Sequence, residues 1–599
     1  MKDFFKYMLA TMCGIIVMSI LGGILFFVIL MGFIAGSESK MKAKENSVFV
    51  LKLNGAISER SDEGGLLDEF ITGSTGMENM GLDDIVSAIN KAKNEPNIKG
   101  IYLEGGRTSF DSPATAQQVR DALEDFKKSG KWIVAYGDEM MQGAYYVSSV
   151  ADELYLNETG MIDFRGMGGK SMYMKGLYDK LGVKMVAARV GRYKSYVETL
   201  TRTDMSDDDR EQRMAYMQGI WNQWLEEIAQ SRGTTAEQLN KMADDSIMLF
   251  ASTDDYIAGH LIDKTMYPDE VQTVIRKKLG IKEDEKINQL TLDKMMILKP
   301  EKKVKEKGDE VAVYYAYGEI VDEALSGLSG GHAIVGSETV RDLQQLARDE
   351  KVKAVVIRVN SGGGSAVASE QIWRAIQQLK AKKPVVVSMG GVAASGGYMI
   401  SCGANYIFAE PTTITGSIGI FGIIPNVNGL VSDKLGITFD GAATNKYTTF
   451  DDDLVYAADN SDAMQYMQSY VDRGYVRFID IVSAGRGMAN EQVHEIAQGR
   501  VWLATDALDI KLVDQLGSLD DAVKKAAQLA HMQEYHAQAY PAKKTWIEQL
   551  FSSEDVPGTY LDSRLHELLG EFYEPLMEVS LSRQRNRLQA RMPYSTIVK

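Results

Sequence analysis

Short apolar runs alternate with stretches of helical period along most of the chain. "SVFVLKLNGAISE" (47–59) reads as a strand closed by a glycine turn. "DDIVSAINKAKNEPNIKGIYLEGG" (83–106) reads as an amphipathic helix, a turn and a buried strand. "WIVAYGDEMMQGAYYVSSVADELYLNETG" (132–160) then gives strand, helix and strand. Brief buried β runs between helical segments predict an α/β unit with a largely parallel sheet.

The same order returns in the second half. "EVAVYYAYGEIVDE" (310–323), "RDLQQLARDEKVKAVVIRVNSGGG" (341–364) and "VVVSMGGVAASGGYMISCGANYIFAEPTT" (385–413) repeat the three patterns. "KLG" closes a fourth match, at 180–182 and again at 434–436. Four ordered matches at near-constant spacing predict a duplicated unit. The expected limits are 46–298 for the first unit and 309–545 for the second. Residues 299–308, charged, form a linker, and 546–599 form a helical extension.

Ahead of the first unit the pattern changes. After a short tail (1–6), residues 7–37 contain no charged side chain. About 20 apolar residues span a bilayer, and this run exceeds a signal-peptide core, so it predicts one uncleaved transmembrane anchor. Lysines lie on both sides of it (Lys2 and Lys6; Lys40, Lys42 and Lys44), so charge bias does not fix its orientation.

Composition narrows the chemistry. The 599 residues exceed one ordinary core, in keeping with two units. A net charge of −16, with no nucleic-acid motif, argues against nucleic acid as a partner. Two cysteines, one of them in the apolar run, exclude an intrachain disulfide framework in the folded body. Six scattered histidines without HExxH spacing point away from a metal hydrolase, and nothing implies a cofactor.

Comparing the halves locates a candidate site. Ser395, in "GVAASGGYMIS", falls opposite Gln142, while Lys194, in "GRYKSYVE", falls opposite Thr448. The glycine loop "NSGGGS" (360–365) falls opposite "GRTSF" (106–110). One half keeps a serine and a glycine turn, and the other keeps a lysine. A serine hydroxyl needs a base, and a lysine held neutral by burial serves as one. Glycines let a carbonyl approach backbone donors, here one from the loop and one from Gly396. Taken singly these residues are ordinary packing or surface, and only the complementary losses unite them. Lys446 is a rival base, ranked second because it falls opposite Arg192. Ala393 stands where a GxSxG elbow would begin, which disfavours an α/β-hydrolase.

The segments "VNSGGGSAVASE" (359–370), "VSMGGVAASGGYMIS" (387–401), "TGSIGIFG" (415–422), "RVGRYKSYVE" (189–198) and "GRVWLATDALDIKLVDQLG" (499–517) resemble the long, tandem form of the bacterial signal peptide peptidase A family, within the Clp/crotonase superfamily. The resemblance covers nearly the whole chain. It implies tandem crotonase-like units of repeated ββα after one transmembrane helix. It implies a membrane-anchored serine endopeptidase that degrades remnant signal peptides. In its terms Ser395 is the nucleophile, Lys194 the general base and Ser417 the residue that orients the lysine. Gly363 or Gly364, with Gly396, forms the oxyanion hole. It also implies a homo-oligomer, tetrameric in the long form, in the bacterial cytoplasmic membrane with its catalytic body facing the periplasm or exterior. One position departs from the pattern: Gly362 stands where the family loop usually carries proline. Two other readings are a membrane scaffold that has lost catalysis and an acyl-CoA thioesterase or hydratase.

Overall fold

The computed structural model describes residues 14, 18, 22, 42–61, 79–245, 251–298, 308–323, 332–543 and 589–592. The expected anchor (7–37) lies outside them apart from three residues, as does the charged linker apart from Gly308. Among the described residues no helix is long and apolar enough to cross a membrane.

Among the described residues the first half contributes ten strands: β1 Ser47–Lys52, β2 Gly55–Ser58, β3 Asn79–Gly81, β4 Ile98–Gly105, β5 Thr108–Phe110, β6 Trp132–Met140, β7 Glu153–Ile162, β8 Lys184–Arg189, β9 Lys264–Thr265 and β10 Asn288–Leu290. The second contributes β11 Asp309–Tyr317, β12 Glu319–Val321, β13 Ala333–Val335, β14 Val352–Ser361, β15 Gly363–Ser365, β16 Val385–Ala394, β17 Tyr406–Ala409, β18 Ile414–Gly416, β19 Phe421–Asn426, β20 Val501–Leu503, β21 Gln515–Leu516 and β22 Tyr535–Tyr540. A last strand, β23 Gln589–Arg591, stands apart in sequence.

The duplication is visible in the strand order. One sheet runs β10-β1-β4-β6-β7-β9, all parallel. Its counterpart runs β22-β11-β14-β16-β17-β21, also parallel, with β18 added beside β16 and β20 antiparallel to β18. All ten residues of β16 are buried, the state of a central strand with both faces covered. Local signals repeat as well. Ser112 and Ser365 cap equivalent helices, Pro113–Lys127 and Ala366–Lys380, each accepting a backbone N–H three residues on. Helices Asp207–Arg232 and Ser461–Arg486 both end on left-handed glycines, Gly233 and Gly487.

The halves are not separate bodies on a string. In a third sheet, β13-β12-β15-β23-β19-β8, the first half's β8 pairs antiparallel with β19 from Arg189↔Phe421 to Lys184↔Asn426. Val392, Ala394, Ile414, Val501 and Leu503 of the second half pack into the apolar core of the first. A buried polar seam adds direction. Arg358 donates to Glu59 at 2.6 Å, and Asn360 donates to Glu59 and Asp111 at 3.2 and 3.1 Å.

One element differs from expectation. The segment 546–599 reads as helical, yet its described residues 589–591 form a strand. Unpaired edges on β15 and β19 reward extended backbone there, a long-range effect that local periodicity does not carry.

Candidate active site

Ser395 sits at the turn between β16 and the short helix Gly396–Ser401. Its backbone is in an uncommon region for a residue with a side chain, φ 55° and ψ −114°. The surroundings enforce it: the Ser395 N–H donates to Gly416 O at 2.8 Å, and its own carbonyl accepts from Met399 N–H at 2.9 Å. The small residues that follow are required by space. A side-chain carbon on Gly397 would lie 2.5 Å from Ser361 O, and one on Gly396 would lie 2.4 Å from Ser369 Oγ.

Lys194 arrives from the other half. It lies five residues beyond β8, and the pairing of β8 with β19 delivers it across the junction. Its Nζ stands 2.8 Å from Ser395 Oγ, 3.0 Å from Ser417 Oγ and 3.1 Å from Ser417 O. The side chain is fully buried. Burial alone pushes the amine well below the usual lysine range, since no acidic group among the described residues is close enough to offset it.

Ser417 also has a positive φ, 50°, and its N–H donates to Arg500 O at 2.6 Å. It follows β18, which pairs with β16 immediately before Ser395, so one ladder sets both serines. The glycine loop faces the same place. Gly363 and Gly364 have φ of 99° and 156°. A side-chain carbon on Gly363 would lie 2.7 Å from the Gly396 nitrogen. The Gly363 N–H itself donates to Ser361 Oγ at 3.1 Å.

Ser395, Lys194, Ser417 and the three glycines therefore converge. Lys446 does not: it is exposed, 5.1 Å above the ring of Tyr447. Gln142, opposite Ser395 in the repeat, has become structural, its amide oxygen accepting from the N–H groups of Arg165 and Gly166. A cavity lined by Glu59, Asp83, Gln118, Asp121 and Tyr315 opens at the junction of the halves and includes neither Ser395 nor Lys194.

Sequence reasoning missed the supports of the lysine loop. Ser195 Oγ donates to Asp209 at 2.6 Å, and Gln212 donates to Tyr193 O at 3.1 Å while accepting from Val501 N–H at 3.2 Å. Buried polar groups on the helix 207–232 were the available signal. Asn360 is a second omission. Its side chain accepts from Val392 N–H at 3.1 Å, tying the glycine loop's strand to the one that carries Ser395.

Both halves of the chain are similar to known proteins. The profile of Peptidase family S49 matches residues 125–282 and 377–533, one stretch in each half. That of Clp protease matches 329–414, around the glycine loop and Ser395. Protease 4 of Salmonella typhi is 36% identical over 532 residues, 86% of this chain and 84% of its own. Protease 4 of Haemophilus influenzae is 33% identical over 529 residues, 86% and 84%. The chloroplastic serine protease SPPA of Arabidopsis thaliana is 29% identical over 497 residues, 82% and 70%.

Proposed function

The chain belongs to peptidase family S49 and is a serine peptidase; from that premise we propose that it works by a Ser395–Lys194 dyad assembled from its two halves. The observation that carries this reading is the 2.8 Å approach of Nζ to Oγ at a buried lysine with no acidic partner among the described residues. A neutral amine has two N–H bonds and one lone pair. The two Ser417 oxygens take the N–H bonds, which leaves the lone pair aimed at the Ser395 hydroxyl.

The reaction follows from that arrangement. Ser395 Oγ attacks the peptide carbonyl as its proton passes to Lys194 Nζ. The oxyanion is met by the N–H groups of Gly364 and Gly396, because that of Gly363 is engaged by Ser361. The tetrahedral adduct collapses, Lys194 returns the proton to the leaving amine, and water then hydrolyses the acyl-enzyme by the same base. Ser417 is a positioning residue that fixes the lone pair's direction. Activity falls as pH drops through the depressed pKa of Lys194, because the ammonium has no lone pair.

The substrates we assign are hydrophobic remnant signal peptides, reached from a membrane anchor at residues 7–37. That span of uncharged residues and the family resemblance support the anchor, a bacterial cytoplasmic-membrane location facing the periplasm or exterior, and a homo-oligomeric, tetrameric assembly. The test is hydrolysis of apolar peptides by the wild type, Ser395→Ala, Lys194→Ala and Lys446→Ala, with assembly checked for each. We expect the first two variants to lose activity by about 10³-fold or more and Lys446→Ala to keep it. Activity that survives Ser395→Ala, or that is lost in Lys446→Ala with Lys194→Ala active, overturns the dyad.

A further inference from the structure

Among the described residues, β23 is the strand that joins the two parts of the third sheet. In the order β13-β12-β15-β23-β19-β8, the strands β15 and β19 do not pair with one another, and both take up Gln589–Arg591 antiparallel. β15 is the glycine loop of the active site. Ala590 stands opposite Gly364, and Met592 N–H donates to Gly362 O at 2.5 Å. The Ala590 carbonyl oxygen is so close that a side-chain carbon on Gly363 would come within 1.9 Å of it, and one on Gly396 within 3.1 Å. A peptide carbonyl of the chain itself therefore lies between the loop and the residue that follows Ser395.

The flanking residues hold it there from both halves. Ala590 is fully buried in the second half's core, while Met592 packs into the first. The Arg591 guanidinium lies 3.4 Å from Glu319 and 5.3 Å over the ring of Tyr196, two residues beyond Lys194. Apolar burial, an ion pair, a cation–π contact and ladder hydrogen bonds on two sides together make a seated ligand of this segment.

We propose that residues 589–592 are a built-in occupant of the peptide slot and that the enzyme is autoinhibited by strand insertion. Substrate enters as an extended strand in the same place and must displace it. The inference rests on the dyad reading, since it takes the slot beside Ser395 as the reactive one. Tethering sets the segment's effective concentration on the order of millimolar, enough to suppress a competing peptide about ten-fold if the free segment binds near 100 μM.

The experiment uses the full chain. Ala590→Trp replaces the buried methyl with a side chain that has no room, and Arg591→Glu reverses the charge facing Glu319. Both should raise kcat/KM for a short apolar peptide about ten-fold, mainly through KM. A synthetic peptide of sequence RLQARMPY, matching 587–594, should inhibit Ala590→Trp and have much less effect on the wild type. Equal rates for wild type and both variants, with no inhibition by the peptide, overturn the proposal. So does mass spectrometry showing a chain cut after Ala590, which would make the segment a substrate and not a plug. Adding Ser395→Ala to Ala590→Trp separates the two readings: hydrolysis that persists in the double variant sinks the dyad, while its loss leaves autoinhibition to be judged on the rates.

Discussion

Gly499 forms the floor under Lys194. Its φ is 79°, its N–H donates to Ile418 O at 2.8 Å, and a side-chain carbon there would stand 2.7 Å from both Lys194 Cβ and the Lys194 backbone nitrogen. A methyl group at 499 meets a disfavoured backbone and a backbone clash together. Gly499→Ala should cost about 1–3 kcal/mol of stability. It should also lower kcat by about 100-fold, the order of loss for a reacting group displaced by about an ångström, with less effect on KM. Peptide kinetics and urea denaturation on the same preparation check both; unchanged kcat would mean the floor does not position the amine.

The seam between the halves makes a different demand. Arg358 and Glu59 are both buried, and the pair is closed by Gln118 and Ser388. Removing one charge strands the other, so Glu59→Ala should destabilise by about 3–5 kcal/mol. Replacing both, as Glu59→Met with Arg358→Met, should cost much less, because a buried ion pair is close to neutral against a well-packed apolar pair. Denaturant midpoints of the two variants decide it, and equal losses would show that shape, not charge, holds the seam.

The duplicated strands, both serines, the lysine and the glycine loop are legible in the sequence because each carries a local mark. Buried β runs keep a period, and complementary losses between the repeats show what each half no longer needs. What binds the pieces together has no local mark. Nothing in "LNGAISER" announces that Glu59 will meet Arg358, and nothing around Ala590 announces a strand. Those outcomes depend on which edges and charges tertiary packing leaves unmatched. The contact between the Gly363 N–H and the Ser361 hydroxyl two residues before it likewise has no mark in "NSGGGS".

Glu410 should make stability fall as pH rises. It is fully buried, one carboxylate oxygen has no hydrogen-bond partner among the described residues, and burial pushes its pKa from 4.5 up to about 8 despite the nearby Arg358. Between those values the folded state keeps a proton that the unfolded chain releases. Stability is therefore lost as pH rises through this window, by up to about 1.4 kcal/mol per pH unit, and levels off above about pH 8. Glu410→Gln removes the titration. Its stability relative to wild type should grow from pH 5 to pH 8 in chemical denaturation; a constant difference would mean that the carboxyl is ionised in the fold.

Lys194 has the opposite linkage, and it offers a test of the base that does not depend on turnover. The folded protein holds a neutral amine where the unfolded chain holds an ammonium, because burial lowers the folded pKa well below 10.5. The unfolded state then binds the extra proton at every pH between the two values. Wild-type stability must rise with pH across that range, by up to about 1.4 kcal/mol per unit from this group. Lys194→Met fills similar space and does not titrate. It should abolish hydrolysis while unfolding at a higher temperature than wild type near pH 6, with the advantage shrinking towards pH 9. The lost hydrogen bonds to Ser395 and Ser417 offset part of the gain but do not change its slope with pH. A difference that stays flat from pH 6 to pH 9 would mean the amine is charged in the folded protein, and a charged amine cannot take the proton from Ser395.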